Sequence, residues 1–514
     1  MSYLKQSLRT PQTEPLPGTV PNSAGGHSYS VDDWKRLQRF LILGSEGGSY
    51  YASELVLTRA NAQATARCVA ADGPRAVKEI IAISAGGRAP KNDPAIFALA
   101  LAAAAEDDAT RGMALASLSA VCRTGTHLFQ FADYVQGLRG WGRGLRRAIG
   151  AWYEREDVDY QLIKYRQRNG WTHRDLLRLS HPQPNDSLAW AAGKSEAPLT
   201  GLLDAYERAQ HTATPAATAA LIRECPDLPR EALQPDHLRS PVVWAALLEQ
   251  VMPTTALIRN LATMTRIGLL VPTSASTEMV IEQLSNGERL RLSRVHPLAI
   301  LVAMLTYHSG RSSRGSSTWT PVPAIVDALD RAFYESFGNV QATDQRILLA
   351  LDVSGSMGFG EIAGMPGVTP RIASAAMALI TAASEPRRPH ILGFSHNLVP
   401  LQISPRQRLD DAIRAISGLA FGGTDCSLPM LWAMQNKAEI DLFVVYTDSE
   451  TWAGREHPVQ ALREYRRLMG IDAKLAVVGM TANEFSIADP ADPGMLDVVG
   501  FDTATPNVLA GFAQ

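Results

Sequence analysis

Cysteine is scarce in this chain of 514 residues, and what there is follows no metal-binding or disulfide pattern. The four cysteines lie far apart with no C-x-x-C spacing: Cys68, Cys122, Cys225 and Cys426. That spacing argues against a disulfide framework and against a structural zinc site, and it is typical of proteins kept in a reducing compartment. We therefore expect a cytoplasmic protein.

Signals for membrane insertion and secretion are missing as well. No apolar run approaches the roughly 20 residues that a membrane-spanning helix needs. The first 22 residues lack the hydrophobic core of a signal peptide and contain four prolines, Pro11, Pro15, Pro17 and Pro21. We expect residues 1–25 to form a flexible tail, and we expect no membrane partner.

Net charge is small, but it is unevenly distributed. The formal charge of −2 comes from 49 basic and 51 acidic residues, of which 13 basic and 19 acidic residues lie from position 341 onward. Residues 139–181 hold only five acidic residues against ten basic ones: Arg139, Arg143, Arg146, Arg147, Arg155, Lys164, Arg166, Arg168, Arg174 and Arg178. A local surplus of this kind suits a phosphate-binding face, even when the whole chain is nearly neutral.

The hydrophobic pattern changes near residue 340. Before it, amphipathic helical segments follow one another with short polar or Gly/Pro breaks, which predicts an α solenoid of the HEAT or armadillo kind. After it, apolar strand segments such as 346–351 and 442–446 alternate with helical segments. Alternation predicts an α/β domain with a doubly wound, mostly parallel sheet, which binds ligands at the carboxyl ends of its strands.

Carboxylates and hydroxyls gather on three loops of this second region. The candidate ligands are Asp352, Ser354, Ser356, Thr424 and Asp448. Hard oxygen ligands favour Mg²⁺ or another divalent cation, and two carboxylates with neutral hydroxyls leave the ion able to accept one more oxygen. The pattern is typical of the metal-ion-dependent adhesion site (MIDAS) of a von Willebrand factor A domain. The alternative is a capped strand-to-helix turn whose serines only satisfy helix amides.

The basic segment 164–182 carries cations at helical spacing. Lys164 and Arg168 are four residues apart, so we expect them to share one helix face with Arg166 offset from it. Two cations at that spacing suit the phosphate backbone of duplex RNA. The alternative is a solvated helix face, with Trp171 belonging to the core.

Long strings of the sequence resemble the Ro ribonucleoprotein (TROVE-domain) family, and specifically a bacterial member. They include FLILGSEGGSYY at 40–51, VCRTGTHLFQF at 121–131, WGRGLRRAIGAWY at 141–153, KYRQRNGWTHRDLLRLSHP at 164–182 and GGTDCSLP at 422–429. The resemblance implies a ring of HEAT-like helical repeats over residues 26–340. It also implies that a von Willebrand factor A domain with a MIDAS, residues 341–514, closes that ring.

The resemblance implies a function too. Members of the family bind small noncoding Y RNAs on the outer basic face of the ring, and can take the single-stranded ends of misfolded or immature RNAs through its hole. The positions that match the family's Y RNA site are Lys164, Arg168 and His181, to which we add Arg166. Bacterial members act in RNA processing with exoribonucleases, so we expect such a nuclease as protein partner and expect no DNA partner.

Two other functions remain open. One is a metal-dependent protein-binding adaptor in which the helical array is only a scaffold, and the other is a Mg²⁺-dependent hydrolase. Ser354 and Ser356 have no nearby histidine in the sequence, and Asp352 lacks the second aspartate two residues later that aspartyl-phosphate hydrolases use. With no catalytic constellation assembled, we expect a protein that is not an enzyme.

Overall fold

The computed structural model describes residues 10–45, 54–194, 198–312, 316–337, 342–362, 367–401, 403–404, 406–417 and 422–513. The chain divides into two compact units. The sheet unit comprises Met1–Arg67, Arg88–Lys91 and Phe337–Gln514, and the helical unit comprises Cys68–Gly87 and Asn92–Ser336. The domain boundary expected at residues 340 and 341 lies outside the described residues, as do residues 1–9 of the expected tail.

Short helices follow one another through the first two thirds of the chain, as the sequence predicts. They are α1 (Asp33–Leu43), α2 (Glu54–Ala71), α3 (Gly73–Ala85), α4 (Asp93–Ala103), α5 (Asp108–Ala116), α6 (Leu118–Val121), α7 (Gly125–Leu138), α8 (Arg143–Trp152), α9 (Val158–Lys164), α10 (His173–Ser180), α11 (Asp186–Ala191), α12 (Gly201–Gln210), α13 (Pro215–Glu224), α14 (Pro241–Glu249), α15 (Thr254–Arg266), α16 (Ala275–Leu284), α17 (Gly287–Ser293), α18 (Pro297–His308) and α19 (Pro323–Glu335). Single turns of 3₁₀ helix lie at Arg230–Ala232 and His237–Arg239.

The helices of the helical unit bury their apolar faces against one another. α13 packs on α14, α18 on α19, and α4 on both α5 and α7. Side chains of these helices such as Leu99 and Phe131 are fully buried. A helix of this length cannot cover its own apolar face. The helices of this unit are therefore stabilised by stacking on one another. The predicted helical array is therefore confirmed.

The sheet unit is built around a six-stranded sheet. Its strands are β5 (Ile347–Asp352), β6 (His390–Phe394), β7 (Leu398–Pro400), β8 (Leu442–Thr447), β9 (Lys474–Gly479) and β11 (Met495–Val499), and its later helices are α20 (Pro370–Ser384), α21 (Leu409–Ser417), α22 (Leu428–Gln435), α23 (Pro458–Met469) and α24 (Thr505–Ala513). The order is β11-β9-β8-β5-β6-β7, and every pair is parallel except the edge pair β6 and β7. The predicted doubly wound, mostly parallel sheet is confirmed.

β5 and β8 lie next to each other in the centre of this sheet. Leu351 pairs with Tyr446 in the parallel register, so the two strands end at the same edge. All residues of both strands are buried. Side chains that follow β5 and β8 in the sequence are therefore brought together, as parallel strands require.

The N-terminal segment differs from the expected loose tail. Residues 10–30 contain a 3₁₀ turn at Pro11–Thr13 and two strands, β1 (Thr19–Pro21) and β2 (His27–Ser30). β2 also pairs with β10 (Phe485–Ser486), which makes a three-stranded antiparallel sheet within the sheet unit. The segment is held mainly by hydrogen bonds to distant residues, and its composition carries no apolar pattern that could have predicted this.

α1 also belongs to the sheet unit, although the expected helical region began at residue 26. Its Arg39 is fully buried. The Arg39 guanidinium donates to both carboxylate oxygens of Asp497 at 2.9 and 2.7 Å, and to the carbonyl oxygens of Phe485 and Asn483 at 2.9 and 3.0 Å. These bonds join α1 to β10 and β11.

The four cysteines are free, and Cys68, Cys122 and Cys426 are buried. Burial raises the pKa of the Cys426 thiol well above its ordinary value. Among the described helices, none has both the length and the hydropathy needed to cross a membrane.

Replacing Arg39 by alanine should lower the free energy of unfolding by about 3–5 kcal/mol, because Asp497 loses its cationic partner and two carbonyl groups lose this donor in a buried site. Arg67→Ala is the matched control, since Arg67 pairs with Asp33 at 2.7 Å with its side chain 53% exposed. The free energy of unfolding of Arg67→Ala should fall by less than about 1 kcal/mol. Urea unfolding followed by circular dichroism measures both, and equal losses would contradict the assignment of Arg39 as the anchor.

Candidate functional site

The candidate metal ligands lie at the carboxyl ends of β5 and β8. Asp352 is the last residue of β5, and Asp448 directly follows β8. Ser354 and Ser356 lie on the loop after β5, where their hydroxyl oxygens are 3.0 Å apart. All four side chains are buried, with Asp352 at 0% and Asp448 at 3% exposure. The parallel register of the two strands therefore places both carboxylates in one polar pocket.

Thr424 is held on a third loop, just before α22. Its carbonyl oxygen accepts the backbone N–H groups of Trp452 and Ala453, each at 2.9 Å. These bonds attach the Thr424 loop to the loop that follows Asp448. Thr424 itself is buried.

The two carboxylates are hydrogen-bonded from within the pocket. Oδ1 of Asp352 accepts the backbone N–H of Ser354 at 2.9 Å, and its Oδ2 accepts the Thr447 hydroxyl at 2.7 Å. Oδ1 of Asp448 accepts the backbone N–H of Glu450 at 3.1 Å. The pocket thus orients its acidic oxygens with donors that carry no net charge.

Negative charge is crowded at this point. Burial raises the pKa of Asp352, although bonds from Ser354 and Thr447 oppose the shift. The pKa of Asp448 is raised further above its ordinary value, by burial first and then by the charges of Asp352 and Glu450. Burial also raises the pKa of Glu450 to about 7. When the pKa values of several neighbouring acids are all raised, the site holds too little positive charge to balance their negative charges.

One buried cation lies close to the pocket. Arg371, on α20, donates from Nη2 to the carbonyl oxygen of Ser354 at 2.8 Å. Burial lowers the pKa of its guanidinium, and the charge of Asp352 opposes that shift. Arg371 thus holds the loop after β5 in place and supplies part of the missing positive charge.

The donor set fits a hard divalent cation. It combines two carboxylates with three hydroxyls, which are the oxygen ligands that Mg²⁺ takes in proteins. No group of three or more His, Cys, Asp and Glu side chains with the geometry to hold a metal is present in the described part of the chain. The proposed Mg²⁺ ligands include only two carboxylates, together with three hydroxyls, so they do not count as a cluster of this kind.

The N-terminal segment braces the same loops. Nε2 of Gln12 donates to Oδ1 of Asp425 at 2.8 Å and to the carbonyl oxygen of Glu456 at 2.7 Å. The Asn22 amide and the Ser28 hydroxyl donate to the carbonyl oxygens of Thr451 and Ser449, at 2.8 and 2.7 Å. Sequence reasoning missed this brace and missed Arg371, because each reaches the site from a distant part of the chain.

The predicted RNA-binding residues lie in the helical unit, but their arrangement differs from the prediction. Lys164 is the last residue of α9, whereas Arg168 lies in a hairpin formed by β3 (Gln167–Arg168) and β4 (Trp171–Thr172). The prediction that Lys164 and Arg168 share one helix face is therefore wrong. Asn169 and Gly170 form the turn with φ of 51° and 78°, and an Asn-Gly pair is a strong hairpin signal that outweighs the four-residue spacing.

His181 caps the helix that follows the hairpin. It lies just beyond α10 in the left-handed conformation, with φ 49° and ψ 57°, and its side chain is exposed. α10 begins at a capping box in which Thr172 and Asp175 bond each other's backbone N–H groups. The carboxylate of Asp175 is therefore hydrogen-bonded within the protein. That of Asp157 forms an ion pair with Arg155.

Many cations of the basic segment have no acidic partner. Seven exposed arginines form no ion pair with a carboxylate within the described ranges: Arg143, Arg146, Arg147, Arg166, Arg168, Arg174 and Arg178. Nζ of Lys164 donates to the Tyr160 hydroxyl at 2.7 Å and lies 4.8 Å from the Tyr160 ring centroid. We call these arginines together with Lys164 and His181 the basic surface.

Residues 20–219 and 228–306 match the TROVE domain, and residues 346–513 match the Ro60 von Willebrand factor A (vWA) domain. The chain belongs to the Ro ribonucleoprotein (TROVE-domain) family. The predicted family is thus confirmed, and both units of the chain take part in the match.

Two relatives and one solved structure cover nearly the whole chain. The chain is 45% identical to "RNA-binding protein RO60" of Deinococcus radiodurans, over 99% of this chain and 98% of the relative. It is 35% identical to "RNA-binding protein RO60" of Caenorhabditis elegans, over 96% and 90%. The crystal structure of the D. radiodurans RO (RSR) protein is similar with a TM-score of 0.69 and 42% identity, over 94% of this chain and 99% of that one.

The crowding of acids in the sheet unit of this Ro-family protein gives a stability prediction. Asp448→Asn removes an acid whose charged form is disfavoured in the buried site. At a pH high enough to ionise that carboxyl and without a divalent cation, the variant should therefore melt at a higher temperature than the wild type, by a few degrees for about 1 kcal/mol. The fully exposed Asp472 gives the control Asp472→Asn, which should leave the melting temperature unchanged. A lower melting temperature for Asp448→Asn would contradict the charge deficit.

Proposed function

We propose that the chain binds structured RNA through the basic surface of the helical unit. The observation that carries the proposal is the set of exposed arginines on α8, the hairpin and α10 for which the described residues provide no carboxylate partner. Free guanidinium groups bind phosphate oxygens, often with two parallel hydrogen bonds, whereas ion-paired ones are already used. Two relatives with whole-chain similarity are named RNA-binding proteins, which supports the same function.

We propose further that the RNA is a small noncoding Y RNA and that misfolded or immature structured RNAs are bound as well. The protein then acts in RNA quality control and processing in the cytoplasm, with an exoribonuclease as partner. These finer statements rest on the family resemblance of the segment around Lys164, Arg168 and His181. A role as a binding protein without catalytic activity is consistent with the names of the relatives.

Mg²⁺ is the proposed ligand of the sheet unit. Asp352, Ser354, Ser356, Thr424 and Asp448 would hold it. When bound, the cation supplies an electrophilic centre that accepts one further oxygen, such as a carboxylate of a protein partner. The acidic pocket of the sheet unit also supports a second function, that of a metal-dependent protein-binding adaptor.

Replacing Lys164, Arg168 and His181 together by alanine should weaken RNA binding and flatten its salt dependence. The slope of log K against log salt should fall by roughly 0.9 for each phosphate contact that is lost. Gel-shift titrations at several salt concentrations measure this, with the RNA that crosslinks to the protein in its host as the probe.

The control for that variant removes exposed arginines that are already paired. Arg208 pairs with Glu224 at 2.6 Å and Arg223 with Glu249 at 2.7 Å, in the same helical unit. Arg208→Ala with Arg223→Ala should leave affinity and salt slope nearly unchanged. If the triple variant and this control behave alike, or if no RNA crosslinks to the wild type, the basic surface is not an RNA site.

Asp352→Ala should reduce the affinity for Mg²⁺ at least tenfold, because it removes one of the two carboxylates that balance the cation's charge. Isothermal titration calorimetry measures the affinity. The triple alanine variant of the basic surface serves as the control and should bind Mg²⁺ as the wild type does. Undiminished Mg²⁺ affinity in Asp352→Ala would remove that residue from the ligand set.

A further inference from the structure

A short piece of the N-terminal segment contacts the loops of the proposed cation site. It comprises residues 10–14, which we call the strap, and it contains a single 3₁₀ turn, Pro11–Thr13. Gln12 in its centre is fully buried, whereas the side chains of Pro11 and Glu14 are exposed. The strap therefore inserts one polar side chain into the sheet unit and adds no apolar side chain to the core.

Both ends of the Gln12 side-chain amide are hydrogen-bonded. Nε2 donates to Oδ1 of Asp425 at 2.8 Å and to the carbonyl oxygen of Glu456 at 2.7 Å. Oε1 accepts the hydroxyl of Thr451. Asp425 lies on the loop before α22, while Thr451 and Glu456 lie on the loop after β8. One side chain thus joins two of the three loops that carry the proposed ligands.

The space around this amide is tight. A Cβ atom on Gly454 would lie 2.1 Å from Nε2 of Gln12 and 2.2 Å from Oδ1 of Asp425, so only a glycine fits there. Oδ1 of Asp425 also accepts the hydroxyl of Ser427 at 2.6 Å. Because the Gln12 amide is enclosed in this way, we expect a change in its side chain to move one of the two loops.

Thr424 is the proposed ligand that these contacts reach. Its carbonyl oxygen accepts the backbone N–H groups of Trp452 and Ala453, each at 2.9 Å. These two residues lie between the points at which Gln12 contacts the loop after β8. Groups that orient a metal ligand from outside typically change metal affinity 10- to 100-fold when they are removed. Gln12 has the position of such a group.

The strap is attached differently from the rest of the N-terminal segment. Tyr29 is buried in the apolar core of the sheet unit, whereas the strap has no buried apolar side chain. Besides the bonds of Gln12, Nε2 of His457 donates to the carbonyl oxygen of Glu14 at 2.9 Å. Segments that bury little apolar surface open locally at a low cost in free energy. The strap can therefore detach while Tyr29 stays in place.

We propose that Gln12 is a positioning residue of the cation site and that the strap is a releasable element that sets the affinity of this site. With the strap attached, the loop before α22 and the loop after β8 are held together, and the affinity for Mg²⁺ is high. When the strap detaches, the affinity falls. The inference rests on the Mg²⁺ site proposed above and adds a residue outside the ligand set that controls it. Such coupling is reciprocal, so a bound cation also holds the strap in place.

The first test exchanges the two partners of one hydrogen bond. Gln12→Glu places a second carboxylate against Asp425, so the affinity for Mg²⁺ should fall about tenfold. Added negative charge near a dication would by itself strengthen binding, so a fall reports the positions of the loops. Adding Asp425→Asn to Gln12→Glu restores a carboxylate and an amide in the reverse order, and should recover much of the affinity. Isothermal titration calorimetry of the full chain with Mg²⁺ measures all three proteins.

The control for these variants lies in the same N-terminal segment. The Ser30 hydroxyl is exposed and donates to the adjacent carbonyl oxygen of Val31 at 3.4 Å, so Ser30→Ala should bind Mg²⁺ as the wild type does. Melting temperatures without Mg²⁺ report stability separately. If Gln12→Glu lowers the melting temperature and the double variant recovers stability but no Mg²⁺ affinity, Gln12 is only structural and the inference fails.

The second test uses the unmodified protein and follows hydrogen exchange of the strap by mass spectrometry. The backbone N–H groups of Thr13 and Glu14 donate to the carbonyl oxygens of Thr10 and Pro11 at 2.9 and 3.1 Å, so their exchange reports opening of the strap. Since coupling is reciprocal, saturating Mg²⁺ should slow this exchange by up to the same factor of about ten. Exchange that is the same with and without Mg²⁺ overturns the inference.

Failure of the cation site itself gives a different result. If the wild type does not bind Mg²⁺, the proposed site and this inference fail together. If Asp352→Ala abolishes Mg²⁺ binding, but Gln12→Glu binds Mg²⁺ as the wild type does and exchange of the strap does not respond to Mg²⁺, the cation site stands. Gln12 then has no part in it.

Discussion

Two carboxylates buried side by side constrain the whole sheet unit. Asp352 and Asp448 are adjacent because β5 and β8 are parallel neighbours that end at one edge of the sheet, and both are shielded from water. Burial raises the pKa of each, and the charges of Asp352 and Glu450 raise that of Asp448 further. Neutral donors such as the Thr447 hydroxyl orient these charges without cancelling them. A bound dication would cancel them, so the electrostatics of these buried acids supports the proposed Mg²⁺ site in addition to the motif.

The need to keep Asp352 and Asp448 together also explains why the N-terminal segment packs on this part of the sheet unit. The loop after β8 must stay fixed to keep Asp448 in the pocket, and a loop of this kind leaves backbone carbonyl groups that need donors. Ser28 and Asn22 donate to the carbonyls of Ser449 and Thr451, and Gln12 holds Asp425 on the neighbouring loop. Residues 10–30 thus complete the sheet unit, although they are separated from it by most of the chain.

Sequence patterns predicted those parts of the fold that are determined by residues close together in the chain. The apolar runs of β5 and β8 lead directly into Asp352 and Asp448, so strand prediction also placed the candidate ligands. Arg371 and Gln12 could not be predicted, since their positions depend on contacts over long sequence distances. The hairpin between Lys164 and His181 is a different case. Its Asn169-Gly170 turn was visible in the sequence, but helical spacing of the cations was given more weight than turn chemistry.

Net charge was a poor guide to the basic surface because acidic and basic residues are not equally available. Asp175 is used in a capping box, Asp157 is paired with Arg155, and Glu207 is bonded to Trp190. Each of these acids counts fully in the net charge, yet each is engaged within the protein. Arg166, Arg168 and Arg174 have no such engagement with a carboxylate in the described ranges. A nearly neutral chain can therefore still offer phosphate groups a locally cationic surface, because guanidinium groups without a carboxylate partner are available for direct contacts.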